Sequence, residues 1–440
     1  MKKFVVLFVV AAFTFFGSMA YAVDVTVSGS IDIRSRDFTD LVQNKDISGE
    51  NQRDTQERIR INVDAKAGND VKGRISIENN WDEWGRVEIP QGNGQNTTTD
   101  EGIPLVTRGT ISQPVQLDIR EAWISFNLPG IPVNVTGGHQ LLQLGNGWWF
   151  RSMKYGSDAW VVANVTGNNT VAFVNIKAAE GNVARADDID AYVILDVFKI
   201  DDNNVVGFDV TNIHDRLGLI AFVNGLAPLA AAAGTDLFNY SINYNGKLGP
   251  VGLKVQVDMQ SGDVDAGSRP NFKGKEAVIE GKIPMDPLTI NFLAAYGSGN
   301  KMNSGNVDRY ANLLDADPHY TFLYEYKLRT GAGAQSTGFS NTEALNIGAM
   351  YKLLTSLDVG LDFWWLHAPE LVALNGGAPD RDLGYEIDAK INWKLYDNLT
   401  WNWVLGYFGA GKCYDTGTAG VTTHSADATT GIQGVLSFKF

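Results

Sequence analysis

The sequence predicts an all-β fold, a transmembrane antiparallel β-barrel of 18 strands built from residues 23–440 as one domain. Three observations predict it: an N-terminal export signal, alternation of apolar and polar residues along most of the chain, and short turns that alternate with long polar loops. An even strand count with turns at one end and loops at the other is typical of transmembrane barrels. Counts of 16 or 20 strands remain open.

Composition excludes several other classes. The chain has 440 residues, a net charge of −14 and a single cysteine. After the first twenty residues it has no apolar run of about 18, which excludes a bundle of membrane helices. One cysteine excludes a disulfide framework, and the acidic charge argues against a nucleic-acid-binding surface. An aromatic content of 11% argues against a disordered chain.

The first 22 residues have the features of a secretory signal peptide. Lys2 and Lys3 are followed by an apolar stretch over residues 4–16, interrupted only by Thr14. The sequence Ala20-Tyr21-Ala22 then fits a small-x-small cleavage site. We expect cleavage after Ala22 and export of residues 23–440.

Period-two alternation identifies the strands. Successive side chains of a strand point to opposite faces, whereas a helix would spread both sets around its axis. The pattern runs over residues 58–65, 238–245, 251–260 and 385–395. In the last of these, apolar Tyr385, Ile387, Ala389, Ile391, Trp393 and Leu395 alternate with Glu386, Asp388, Lys390, Asn392 and Lys394.

The connections give the strand count. Tight turns are predicted at residues 68–70, 129–132, 166–169, 201–204, 246–250, 284–287, 354–356 and 396–398. Long loops are predicted at 36–54, 85–115, 145–158, 179–187, 213–235, 261–271, 299–341, 367–382 and 410–429. Eight hairpins, with a first strand over 25–34 and a last over 432–440, make 18 strands. The apolar stretch 217–233 could instead form a short helix or two further strands. A soluble sandwich would also alternate, but it has no reason to sort its connections by length.

Aromatic residues near strand ends indicate where the barrel would meet the membrane surface. Aromatic girdles are expected at both interfaces of a transmembrane barrel. The residues concerned are Trp81, Tyr296, Tyr351, Trp365, Tyr385, Trp393, Trp401 and Tyr407.

Three segments resemble known families. The C-terminal Ser437-Phe438-Lys439-Phe440 resembles the assembly signal of Gram-negative outer-membrane proteins, with Phe438 and Phe440 as its aromatic residues. The stretch GGHQLLQLGNG at 137–147 and the hairpin at 384–411, with its run KLYDNLTWNWVLGYFGAG, resemble the alginate-export family of eighteen-stranded channels. These resemblances imply a porin-like protein in the outer membrane, in contact with its lipid and with the barrel-assembly machinery.

Catalysis has little support in the sequence. There is no G-x-S-x-G or H-E-x-x-H motif, and the five histidines are far apart. Residues 406–413 resemble a phosphate loop but end in Cys413 where Ser or Thr is needed. We expect His139 to be a hydrogen-bonded wall residue, and Asp315 and Asp317 to belong to a solvated loop. No enzyme activity, metal site or cofactor is therefore predicted.

The inner wall carries the predicted site. An 18-stranded barrel is wide enough for an aqueous lumen, and charges that line it can select solutes. Only Asp32, Asp64 and Glu78 oppose the basic residues, so we expect Arg58, Arg60 and Arg74 to lack enough acidic partners. Loops 85–115 and 299–341 are long enough to narrow the mouth. The predicted lining residues are Arg34, Arg58, Arg60, Lys66, Lys72 and Arg74 on one side and Asp358, Asp362, Glu386 and Asp388 on the other.

The function expected from this wall is a channel for passive passage or export of small hydrophilic solutes, with a preference for anions. The alternative is a barrel that sheathes a partner multi-haem cytochrome from the periplasm in an electron conduit. The chain has no C-x-x-C-H motif, so any haem would come from that partner. No nucleic-acid partner is expected.

Overall fold

The protein is an 18-stranded antiparallel barrel, which confirms the predicted fold. The structure, a computed structural model, describes residues 23–44, 51–79, 81–84, 117–180, 188–217, 234–265, 270–301, 304–315, 319–329, 338–418 and 420–440. The predicted signal peptide, loop 85–115 and most of the stretch 217–233 lie outside these residues. The barrel strands are β1 Val23–Thr39, β2 Gln52–Ala67, β3 Val71–Glu78, β4 Asp118–Asn127, β5 Val133–Gln143, β6 Phe150–Thr166, β7 Asn169–Ala179, β8 Ile189–Asp201, β9 Asn204–Asp215, β10 Thr235–Leu248, β11 Val251–Val264, β12 Lys275–Met285, β13 Leu288–Gly297, β14 Thr342–Leu354, β15 Leu357–Val372, β16 Asp380–Tyr396, β17 Leu399–Ala410 and β18 Thr429–Lys439.

The ring closes between the first and last strands. β1 and β18 pair antiparallel, with Ile31 opposite Phe438. Beyond β18, Phe440 donates its backbone N–H to the Gly29 carbonyl at 3.1 Å and accepts one from Gly29 at 2.9 Å. Every barrel strand therefore has two partners, so the ring exposes no sheet edge along these pairings.

The two ends of the barrel differ as predicted. Connections of two to five residues join the strands at one end, which we call the turn end, at 68–70, 128–132, 167–168, 202–203, 249–250, 286–287, 355–356 and 397–398. Nine longer connections lie at the other end, the loop end. Several strands extend further toward the loop end than predicted. β6, for example, starts at Phe150, within the predicted loop 145–158. Strand pairing continues there because the backbone N–H and C=O groups still have an adjacent strand with which to form hydrogen bonds.

The polarity of the two faces of the barrel wall is the reverse of that in a soluble protein, where the interior is apolar and the surface polar. Ile194 and Ile347 are each 63% exposed on the outer face, whereas Asp258 and Glu386 are fully buried on the inner face. This arrangement, apolar outside and polar inside, is that of a transmembrane barrel. Seven of the eight predicted girdle aromatics are exposed on the outside: Tyr296, Tyr351, Trp365, Tyr385, Trp393, Trp401 and Tyr407.

Trp81 is the exception, and its predicted outward position is wrong. Its indole lies over the guanidinium groups of Arg34 and Arg58, 3.8 and 4.4 Å from ring centroid to Cζ. Trp81 follows β3 and has a φ of 54°, so the chain has left the strand there and no longer alternates between faces.

Part of the barrel interior is a packed apolar core. One cluster includes Trp149, Ile213, Phe272 and Tyr310, and a second includes Phe38, Leu323, Phe339 and Leu366. Each cluster joins wall residues to residues of the long connections. Within the described ranges, no helix is long and apolar enough to cross a membrane.

The charged lumen as the candidate functional site

The connection between β13 and β14, residues 298–341, folds into the lumen, as predicted for loop 299–341. Leu313 and Leu314 pair parallel with Phe150 and Arg151 at the start of β6. Asp315 then caps the same strand, since its carboxylate accepts the N–H groups of Met153 at 2.7 Å and Lys154 at 2.9 Å. β13 and β6 are seven strands apart in the ring, so this loop crosses the barrel interior.

A buried ion triad fixes the fold of this loop. His319 contacts Glu325 through Nδ1 at 2.7 Å and Asp315 through Nε2 at 3.1 Å, and all three side chains are almost fully buried. Burial disfavours the imidazolium, but the two carboxylates outweigh burial and raise the pKa of His319 to about 9. His319 is therefore charged at neutral pH. The expectation that Asp315 is a solvated acid is wrong because the loop folds inward; Asp317 lies outside the described residues.

Farther along, the same loop contacts the opposite wall. Both oxygens of Glu386, on β16, accept backbone N–H groups: those of Phe322 at 2.8 Å and of Leu323 and Tyr324 at 2.7 Å. A π-helical turn, Tyr324–Arg329, follows. It places the Tyr326 hydroxyl within 3.2 Å of the Arg34 guanidinium. Loop 298–341 is thus held on both sides of the lumen.

The shorter connection at residues 144–149 also enters the lumen. Asn146 donates to the Val255 carbonyl at 2.8 Å, Trp148 Nε1 to Glu280 at 2.7 Å, and Trp149 Nε1 to Thr211 at 3.3 Å. These partners lie on β9, β11 and β12. Gly145 has a φ of +53°, and a Cβ there would lie 3.0 Å from the Gln256 side chain. A glycine is therefore required where the segment GGHQLLQLGNG passes close to the far wall.

The basic residues of β2 and β3 are paired with acids, which corrects the sequence-based expectation. The strand register places each arginine directly across from a carboxylate on the neighbouring strand. The nitrogen–oxygen distances are 3.0 Å for Arg58–Asp32, 2.6 Å for Arg60–Glu78 and 2.7 Å for Arg74–Asp64. Glu121, on β4, adds a second acid 3.6 Å from Arg74. These arginines are therefore not a field of uncompensated charge.

An excess of positive charge lies instead where the loop meets β1. Arg36 forms a two-pronged pair with Asp54, at 2.7 and 2.8 Å. Arg34 bonds to Gln56 and to Tyr326, and its buried Nε has no hydrogen-bond partner among the described residues. Lys327 donates to Gln52 at 2.8 Å and lies over the Phe38 ring. Within the described part of the chain, these three cations thus have one carboxylate in ion-pair contact, that of Asp54.

This buried and positively charged environment changes the pKa of Lys327. Burial, the largest effect, and the charge of Arg36 lower the pKa of Lys327 to about 7. Arg36 was missed in the sequence because the first strand was predicted to end at Arg34, whereas β1 continues to Thr39. Lys327 was missed because it lies in a loop whose inward course leaves no local pattern. Continued alternation beyond Arg34 was the signal that could have identified Arg36.

Lys66 and Lys72 are placed as predicted on adjacent strands, directly opposite one another near the turn end. Both side chains are exposed. They lie well away from the two inward loops, so they add positive charge at the other end of the lumen.

The predicted acidic side is largely covered. Asp362 pairs with Lys390 at 2.6 Å and accepts from Asn291 at 2.7 Å. Glu386 and Asp388 are 0% and 1% exposed, because loop 298–341 lies on them. Asp358 is half-buried opposite Asn392. Two of the four predicted acids therefore hold the loop or lie beneath it and do not face open space.

A second acidic row was missed in the sequence. Asp209, Asp258 and Glu276 share one level of the inner wall, in register through Ser241 on β10. They are 4%, 0% and 1% exposed. These three acids lie on different strands, β9, β11 and β12, and are far apart in the sequence. No local sequence pattern therefore identifies them. Nowhere among the described residues do three His, Cys, Asp or Glu side chains come close enough to hold a metal ion.

Three further predicted residues, His139, Phe438 and Phe440, are placed outside the lumen, whereas Cys413 belongs to the second apolar cluster of the interior. His139 bonds through Nδ1 to Asp158 at 2.8 Å and through Nε2 to the Tyr155 carbonyl at 2.7 Å, which confirms it as a wall residue. Phe438 and Phe440 lie on the outer face with ring centroids 6.0 Å apart. Cys413 is buried in the last long connection, where burial raises the pKa of its thiol to about 12.

Comparisons with known proteins establish only the fold. No protein-family model and no curated protein sequence matches the chain. Solved structures do match: Pseudomonas aeruginosa OccK11 (OpdR), with 9% identity, coverage of 95% of this chain and 96% of that one, and a TM-score of 0.54. OccK2 (OpdF) of the same organism, in complex with glucuronate, has 9% identity, coverage of 95% and 98%, and a TM-score of 0.56. A BenF-like porin from Pseudomonas fluorescens Pf-5 has 8% identity, the same coverage and a TM-score of 0.55. At these identities the likeness establishes a porin-type barrel and gives no specific support to the alginate-export resemblance.

Proposed function

We propose that this protein is an outer-membrane channel for passive passage of small hydrophilic solutes, with a preference for anions. The observation that carries the proposal is the narrowing of the lumen by two inward loops, one of which brings Lys327 against Arg34 and Arg36. On this proposal residues 1–22 are a cleaved signal peptide, the turn end is periplasmic and the loop end is extracellular.

The preference for anions rests on local charge and not on the net charge of the chain. Acidic residues in exposed loops are screened within about 8 Å at physiological ionic strength. Arg34, Arg36 and Lys327 act at short range on a solute in the narrowed space, and among the described residues only Asp54 forms an ion pair with one of them. The pairs at Arg58, Arg60 and Arg74 add polar contacts along the way, and Lys66 and Lys72 add positive charge at the periplasmic end.

The structural neighbours support the solute class. OccK2 was solved with glucuronate, a sugar carboxylate, and arginine guanidinium groups are well suited to binding carboxylates. We extend this to the present chain as small carboxylates or similar anions. The inward loops provide no comparable support for the alternative, a barrel that sheathes a cytochrome.

Electrical recording in planar bilayers tests the proposal. Open single-channel steps in salt are expected; a barrel that stays silent would contradict the channel and favour the sheath. Replacing Arg58, Arg60 and Arg74 with Gln removes the close partners of Asp32, Glu78 and Asp64, of which Glu78 keeps a longer contact to Arg120 at 3.6 Å. The anion-to-cation permeability ratio should then fall by about fivefold, since one charge at ~4 Å in water is worth about 1 kcal/mol.

A charge-balanced variant is the matched control. Arg58→Gln combined with Asp32→Asn removes one full pair and should leave the zero-current potential in a salt gradient near that of the wild type. If the triple variant also keeps the wild-type potential, the basic wall does not line the conduction path.

A further inference from the structure

A groove on the outside of the barrel, at the loop end, is bordered by three lysines. The segment leading into β12 is extended, and its residues alternate between the two faces. Phe272 is 2% exposed and packs into the interior, so Lys273 and Lys275 project to the outside. Lys301, in the connection after β13, closes the groove from the other side. The space between them is ≈ 300 Å³.

The lysines are not neutralised by acids. None of the three has a carboxylate within ion-pair distance among the residues that the structure describes, and all are exposed. Two acids also border the groove. Glu370 is paired with Arg381 at 3.3 Å, and Asp308 is 8% exposed. The accessible charge of the groove is therefore positive.

The groove opens onto the apolar outer face. Met259, directly opposite Lys275, is 52% exposed, and Tyr296 is 41% exposed beside them. Tyr296 belongs to the predicted aromatic girdle, the level at which lipid headgroups meet the hydrocarbon. The lysines stand just beyond this level, toward the loop end.

We propose that this groove, formed by Lys273, Lys275 and Lys301, binds the phosphate groups of a phosphorylated glycolipid of the outer leaflet. Ammonium groups bind phosphate as point charges, and basic pockets at the membrane surface recognise anionic headgroups. Met259 and Tyr296 contact the acyl chains of the same molecule, which favours a membrane lipid over free phosphate. The inference rests on the outer-membrane location proposed above.

The test measures lipid retention by the full-length barrel purified in detergent. Bound bisphosphorylated lipid A is counted by native mass spectrometry, for the wild type and for the variant with Lys273, Lys275 and Lys301 replaced by Gln. We expect the variant to retain about tenfold less, because each lysine near a charged headgroup contributes to binding. The control replaces three exposed lysines near the turn end, Lys199, Lys247 and Lys352, and should retain the wild-type amount.

Equal retention by both variants would overturn the proposal. So would equal retention of lipid A and its dephosphorylated form, since the apolar belt alone would then explain binding. Displacement of lipid A by millimolar inorganic phosphate alone would overturn the choice of a lipid as the ligand. Membrane fractionation of the same samples keeps the two proposals separate: a barrel absent from the outer membrane contradicts the proposed location, whereas one that is present but retains no lipid A contradicts only the groove.

Discussion

Lys327 is a titratable side chain whose charge changes near neutrality. It lies at the inner end of loop 298–341, above Phe38 and near Arg34 and Arg36. Because its pKa is lowered to about 7, it is mostly charged at pH 6 and mostly neutral at pH 8. Arginine side chains stay charged throughout this range. The local excess of positive charge therefore falls by one unit as pH rises through 7.

We expect anion preference to decrease between pH 6 and pH 8. The change should be severalfold in permeability ratio, since one charge at ~4 Å is worth about 1 kcal/mol even in water. The zero-current potential in a salt gradient, recorded at both pH values, measures it. Lys327→Arg should keep the pH 6 value at pH 8, and Lys327→Gln should show the pH 8 value at both. A wild-type potential that does not move with pH would place Lys327 away from the conduction path.

At the scale of the element, one carboxylate holds the inner part of loop 298–341 on β16. Glu386 satisfies three consecutive N–H groups at residues 322–324. A typical intramolecular hydrogen bond is worth about 0.5–1.5 kcal/mol, and leaving a buried N–H group without an acceptor costs about 1–3 kcal/mol. A glutamine offers one acceptor oxygen and turns a donor toward the same N–H groups.

Glu386→Gln should release the inner part of this loop from β16. Single-channel conductance should rise with more frequent fluctuations, and loop 298–341 should become cleavable by added protease. Asp358→Asn is the matched control, because Asp358 is a half-buried acid of the same inner wall that lies opposite Asn392, nearer the turn end than Glu386. Unchanged conductance in Glu386→Gln would show that the loop is held by its other contacts.

The elements differ in how far sequence could predict them. Strands and turns were predictable because alternation and turn residues are local signals. The pairs Arg60–Glu78 and Asp64–Arg74 could also have been predicted, since a three-residue turn sets the register of β2 and β3. The inward course of the loops could not: Glu386 and Phe322 are 64 residues apart, and no local pattern connects them. The same holds for Lys327 and Gln52.

For the whole molecule, pairing of the first and last strands closes the ring and leaves no free sheet edge between them. β18 joins β17 to β1, and Phe440 makes two backbone hydrogen bonds to Gly29 beyond the last strand. The rings of Phe438 and Phe440 lie together on the outer face of this seam. They are thus available on the surface of the last strand, as an assembly signal requires.

Deletion of Phe440 should stall the protein in the periplasm in a protease-sensitive form, as the proposed assembly signal implies. Outer-membrane yield should fall strongly, and the heat-modifiable band of the folded barrel should be lost on gels. Phe440→Tyr keeps an aromatic ring and the backbone pairing, and it should assemble like the wild type. Normal yield and normal heat modifiability after the deletion would count against Phe440 as part of the signal.

The ion pairs of the inner wall also limit how far that wall can act. An arginine held within 3 Å of its carboxylate presents a dipole, and the field of a dipole declines with distance faster than that of a single charge. In an open lumen of this width, a molecule near the axis would pass almost unaffected. In the proposed channel, the two inward loops narrow that central route and bring a solute closer to the wall. On this proposal narrowing and charge act together, because the paired wall can sort only what the loops bring close to it.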